Sequence, residues 1–129
     1  MAIDTKLWVP SDVWVNLMPP VPNKVLVSVP VAAFLTNQGA AEETLFAPTP
    51  CDVHSWEVRD AEGRVVQAEV PETCIQIVVT RPLEQGHTIR GDNTLPLNGK
   101  LLKDGQRYTV HYKFWGFAAS DSFITHIAV

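Results

Sequence analysis

Leu102-Lys-Asp-Gly105-Gln-Arg-Tyr108-Thr-Val110-His-Tyr112-Lys-Phe114 decides the fold of this chain. A polar turn that ends in glycine runs into strict alternation. Tyr108, Val110, Tyr112 and Phe114 fall on one face of an extended backbone, and Thr109, His111 and Lys113 on the other. That period of two belongs to a β-strand, whose successive side chains point to opposite faces. The glycine permits the positive φ that a tight reversal requires. The same grammar stands upstream in Asp60-Ala-Glu-Gly63-Arg-Val-Val66 and Leu83-Glu-Gln-Gly86-His-Thr88. Three such reversals within about fifty residues describe antiparallel strands folded back on one another.

Working outward, Val25, Val27, Val29 and Val31 alternate with Leu26, Ser28, Pro30 and Ala32, a strand in which Pro30 marks an edge or a kink. Thr36-Asn-Gln-Gly39 reads as a turn and Thr44-Leu-Phe46 as a short strand. Val53 to Arg59 puts His54, Trp56 and Val58 on one face, and Arg64 to Val70 returns as its hairpin partner. Cys74 to Thr80, nearly all apolar or β-branched, reads as a strand buried on both faces, flanked by a turn-like Pro71-Glu-Thr73. His87 to Leu97 reads as a strand broken by a bulge or bend at Gly91-Asp-Asn93, and Ser122 to Val129 closes the set. Ten scattered prolines and seven glycines leave no window with helical spacing. The expectation is therefore all-β: an immunoglobulin-like antiparallel β-sandwich of seven to nine strands over residues 24–129. Residues 1–23 stand apart as an irregular or edge-strand arm rich in tryptophan and proline, with Trp8-Val-Pro10, Val13-Trp14-Val15 and Leu17-Met-Pro-Pro-Val-Pro22.

The bulk numbers narrow the functions. A chain of 129 residues with 46% apolar content fits one core. A net charge of −4 without a run of Lys or Arg speaks against nucleic acid as a partner. The longest apolar stretch, Val25 to Leu35, contains Ser28 and Pro30 and is too short to span a bilayer, so no membrane partner is expected. No leader opens the sequence, which implies a cytoplasmic protein if the chain is complete and a periplasmic or secreted one if a leader was removed. Two cysteines, Cys51 and Cys74, are either a disulfide closing about 24 residues, worth roughly 3 kcal/mol, or two buried thiols. The hairpin between them favours the bridge, and a bridge favours export.

Catalytic signatures are missing. No two of His54, His87, His111 and His126 stand at the i, i+2 spacing of strand ligands, no nucleophile elbow is present, and Glu42-Glu43 sits in a polar turn. No enzyme activity, metal or cofactor is expected. Arg90-Gly91-Asp92 spells the integrin-recognition tripeptide, although Gly91-Asp92-Asn93 is equally ordinary bend chemistry. Trp115-Gly-Phe117 ends the aromatic strand, where Trp115 or Phe117 either meets a partner or caps the sandwich. Arg90, Asp92, Asn93, Trp115 and Phe117 are thus the candidate partner-binding residues.

The order Asn37…Gly39…Leu45-Phe46…Cys51…Trp56-Glu-Val58-Arg-Asp60-x-x-Gly63-x-Val65-Val66…Cys74…Leu83-x-x-Gly86…Leu102-x-x-Gly105-x-x-Tyr108-x-Val110 resembles the BsuPI-like intracellular proteinase-inhibitor domains of bacteria. The resemblance covers roughly residues 25–115 and departs at Leu83-Glu-Gln-Gly86, where the family has L-x-P-G, and in lacking a tryptophan between the last two turns. It implies a small immunoglobulin-like sandwich that binds a protein partner, a protease for instance, through a rigid loop, with His87 to Lys100 the longest candidate. Two other roles stay open: a small-ligand or carbohydrate binder using exposed tryptophans, and a structural subunit whose arm adds to a neighbour's sheet, with the oligomeric state undetermined.

Overall fold

Alternating apolar residues create the strands, and the places where alternation stops decide where the strands change sheet. The computed structural model describes residues 2–17, 23–70 and 73–128, and among these residues the protein is all-β. Ten strands form: β1 (Ile3–Trp8), β2 (Asp12–Asn16), β3 (Leu26–Asn37), β4 (Glu43–Ala47), β5 (His54–Arg59), β6 (Val65–Ala68), β7 (Val79–Leu83), β8 (Thr88–Asn98), β9 (Arg107–Phe114) and β10 (Phe117–Ala128). They build a three-stranded sheet in the order β1-β3-β8, a five-stranded sheet in the order β2-β10-β9-β5-β6, and a β4-β7 ribbon. Every pair is antiparallel except β2 with β10.

The sheets enclose one apolar core as a β-sandwich. Val29, Leu35, Leu95 and Leu97 come from the smaller sheet, Val15, Val58, Val110 and Phe123 from the larger, and Leu45 and Leu83 from the ribbon, each at most 2% exposed. Buried Asn37 ties two turns together, the one between β3 and β4 and the one between β7 and β8. Its amide donates to the carbonyls of Ala41 and Leu83, its side-chain oxygen accepts from Gly39, and its carbonyl accepts from Gly86. All of its groups are satisfied, so its burial carries no desolvation penalty left unmet.

Of the two readings of the amino-terminal arm, irregular or edge strand, the described residues show the second. Ile3 to Trp8 pair with Asn37 to Ala32, and the chain then crosses through Val9-Pro10-Ser11 so that Asp12 to Asn16 pair with Ile124 to Ala128 of the other sheet. Among the described arm residues Pro10 alone interrupts the strands, and it lies in the crossing. The crossing explains Pro30 as well. β1 covers β3 only from Ala32 onward, so Pro30, which has no N–H to donate, lies in a stretch of β3 flanked by β8 alone. Opposite the crossing, a side chain of β6 bonds the backbone of β8. Gln67 of β6 accepts from the Asn98 amide of β8 at 2.7 Å and donates to the Asn98 carbonyl at 3.0 Å. The remainder of the proline run, residues 18–22, and residues 71–72 of the Pro71-Glu-Thr73 turn lie outside the described residues, as does Val129.

Two further expectations are corrected. Cys74 to Thr80 is not a buried strand. β4 is only five residues long and its pairing ends at Ala47 with Val79, so residues 73–78 have no ladder to join, and Ile75, Ile77 and Val78 are exposed. Gly91-Asp-Asn93 is not a bend either, because β8 pairs with β3 without interruption through Ala33 opposite Gly91. Gly91 serves a close approach between sheets: a Cβ there would stand 2.6 Å from the Phe114 ring and 2.8 Å from the His54 ring. Gly91→Ala should therefore cost about 2 kcal/mol through overpacking, seen as a lower midpoint in urea denaturation.

Candidate functional site

Between the sheets, close to Gly91, three polar side chains meet. His54 (β5), Tyr112 (β9) and Asn93 (β8) are brought together because β5 and β9 pair in register while β8 packs across from them. The His54 Nδ1 lies 2.5 Å from the Tyr112 hydroxyl, and the Asn93 amide donates to that hydroxyl at 3.1 Å. With Asn93 donating, the phenol hydrogen is left to bond a neutral His54. The His54 ring stacks on Phe114 at 4.9 Å. Burial lowers the His54 pKa from its ordinary value and pushes Tyr112 up to about 12. Both groups are thus held uncharged at neutral pH. Among the described residues no nucleophile or carboxylate acid–base pair belongs to this cluster, and its bonds are those of a satisfied polar contact between the sheets.

The aromatic hairpin is placed differently from its sequence reading. Trp115 and Gly116 form the two-residue turn between β9 and β10, with φ of 52° and 82°. Positive φ at both positions is the geometry of a type I′ turn, which suits the twist of a hairpin. Trp115 is an unusual occupant, and its burial explains its presence: it is 9% exposed, belongs to the core, and its amide donates to the Val53 carbonyl at 2.9 Å. Trp115 therefore caps the core and is not presented to a partner, and Phe117 beside it is half-buried.

Arg90, Asp92 and Asn93 sit within β8 rather than on a projecting loop. Arg90 and Asp92 are exposed but bond each other at 2.9 Å, and the Arg90 guanidinium lies 5.5 Å from the Phe34 ring centre. Asn93 turns to Tyr112 instead. The longest expected loop, His87 to Lys100, is likewise almost wholly strand.

Exposed apolar surface gathers elsewhere. Cys51 and Cys74 form a disulfide with their Cα atoms 6.1 Å apart. Cys51 lies in a short 3₁₀ turn, Pro50–Val53, that leads into β5, so the bridge fixes one end of residues 73–78 to the sandwich while β7 fixes the other. Within that span the Ile77 amide donates to the Ile75 carbonyl at 2.9 Å, a γ-turn. Ile75 is 68% exposed, and Ile77 and Val78 are each 55% exposed. Phe46, opposite Thr80 on β4, is exposed on the same ribbon. Sequence reading missed this site because β-branched runs carry the same signal whether or not a neighbouring strand exists to cover them. It also passed over Trp14, the most open tryptophan, whose ring stacks on His126 while His126 bonds Asp12 at 2.6 Å. Among the described residues no three His, Cys, Asp or Glu side chains group as metal ligands.

No family model and no curated protein matches the chain. Solved structures do. Over 97% of its length the chain is similar to Northeast Structural Genomics Consortium target SoR45, of which it covers 86%, with 10% identity and a TM-score of 0.50. It also aligns with 30% of a Pseudomonas fluorescens alkylpurine DNA glycosylase AlkC, at 13% identity and a TM-score of 0.49. With a Listeria innocua β-glucosidase it aligns over 16% of that chain, at 11% identity and a TM-score of 0.49. The chain thus spans less than a third of either enzyme, and at these identities the likeness to SoR45 is one of fold alone.

Two outcomes follow from the site geometry. The unfolded chain protonates His54 near its ordinary value of 6.5, whereas the folded protein does so only at lower pH. Acidification below about pH 6.5 should therefore erode stability, and denaturation midpoints should depend less on pH between about 7 and 5 in His54→Gln. Reducing the Cys51–Cys74 bridge should lower unfolding free energy by about 3 kcal/mol, measured by urea titration with and without reductant.

Proposed function

We propose that the chain is an immunoglobulin-like protein-binding domain, akin to the BsuPI-like inhibitors it resembles, and that residues 73–78 are the segment it presents. The immunoglobulin-like reading is supported by the strand order, in which the first strand serves both sheets and its second half runs parallel to the last strand. The binding reading rests on one observation: Ile75, Ile77 and Val78 are exposed in a span anchored by a disulfide at one end and a strand at the other. Leaving such side chains in water gives up the burial of roughly 2 kcal/mol each. A partner that covers them regains it, and anchoring at both ends limits the ordering entropy lost on binding. For a protease, the span replaces His87 to Lys100 as the loop that would enter the cleft.

The protein should inhibit at least one member of a panel of serine proteases at micromolar concentration, with Ile77→Asp weakening inhibition about tenfold or more. A flat panel removes the inhibitor role. For the carbohydrate alternative, Trp14 is a better platform than buried Trp115. Glycan-array signals abolished by Trp14→Ala would favour it.

A further inference from the structure

The outer face of the five-stranded sheet has a polarity opposite to that of the whole chain. Alternation along β9 turns Tyr108, Val110, Tyr112 and Phe114 into the core, which leaves Arg107, Thr109, His111 and Lys113 outside. Ser55, Glu57 and Arg59 of β5 join them, with Ala118, Ser120 and Ser122 of β10 on the other side. Arg59, Arg107 and Lys113 stand on this face against two carboxylates, Glu57 and Asp12, in a chain whose net charge is −4. Both carboxylates are engaged. Arg59 donates to Glu57 through Nε at 2.8 Å and through Nη2, and His126 holds Asp12.

Neither Lys113 nor Arg107 has an ion pair among the described residues, and Arg107 instead donates to the Ser122 hydroxyl at 2.9 Å. The cross-strand neighbours of Lys113 are Ala118 and Ser55. Those short neighbours, with Ser120 and Ala68, leave a depression of about 570 Å³ that Arg59, Glu57, His111 and Lys113 also line. His111 adds a ring N–H donor, and its own cross-strand partners are Ser120 and Glu57.

We infer that this face binds an extended acidic segment of a protein partner, laid along β9 with its carboxylates against Lys113, His111 and Arg107. The spacing carries the choice of an extended chain. Side chains two residues apart on a strand are separated by about 7 Å, so Arg107 to Lys113 spans about 20 Å. A peptide with an acid at every second residue repeats at the same interval. The small residues of the depression admit its backbone, and the net positive face supplies the attraction. This surface is separate from residues 73–78 and does not depend on the function proposed for them.

The test is fluorescence anisotropy with the full chain and a labelled short peptide alternating glutamate and threonine, against its glutamine counterpart. The acidic peptide should bind at least about tenfold tighter than the neutral one at about 50 mM salt, and the difference should shrink at about 500 mM. Lys113→Glu should weaken binding at least about tenfold. Lys100→Glu, which makes the same charge change at an exposed lysine in the turn after β8, should change it less than about twofold. Equal losses in the two variants would reduce the effect to net charge and overturn the site. Equal binding of the two peptides would overturn the acidic partner. Circular dichroism of both variants, each altered at an exposed side chain, checks that neither result reflects unfolding.

Discussion

The three residues Val9-Pro10-Ser11 carry the constraint on which the sandwich depends. They take the chain from the edge of one sheet to the edge of the other, so one continuous stretch of backbone is hydrogen-bonded to both. The crossing is held in place: the Val9 amide donates to the Asp121 carboxylate at 2.9 Å, and the Ser11 carbonyl accepts from Ile124. Val9 and Val13 on either side are buried, so the crossing is packed as well as bonded. β1 and β2 keep one chain direction across the gap, and β10 runs the same way, which makes β2 its parallel neighbour. The placement of Pro30 follows too, since β3 loses its neighbour where β1 departs.

Within that frame, glycine does two unrelated jobs. Gly63, Gly86 and Gly105 have φ between 73° and 81° and nothing within 4 Å of the missing Cβ, so their value is conformational. Gly91 lies in regular strand and its value is steric, letting Phe114 and His54 come within contact of the backbone of the opposite sheet. That approach is what seats His54 beside Tyr112 and keeps both uncharged.

This division explains what could be read in the sequence. The reversals at Gly63, Gly86 and Gly105, and the alternation of β5 and β9, were legible because turn chemistry and side-chain period are local. The disulfide was legible as one of two alternatives, since the hairpin between Cys51 and Cys74 suggested that its ends meet. Gly91 was misread because a local signal, Gly-Asp-Asn, was overruled by contacts from residues far along the chain. The span 73–78 was misread for a related reason: hydrophobic content says that a segment can be covered, and only the length of β4 says that it is not. Trp115 shows the remaining limit. Its sequence position marked a strand end, but whether the ring turned inward depended on the backbone geometry of a turn whose usual residues are Asn, Asp and Gly.

The Gln67–Asn98 contact gives the sandwich an asymmetry of mechanical character. On one flank the sheets are joined by covalent backbone, and separating them there means breaking the β1–β3 or the β2–β10 ladder. On the opposite flank they are joined by two hydrogen bonds from one flexible side chain. The fold is thus built like a book bound along the β1–β2 spine, with β6 and β8 as the page edges. Parting that latch releases the Asn98 amide to exchange without breaking any strand ladder, whereas the amides of β2 exchange only when its ladder with β10 opens.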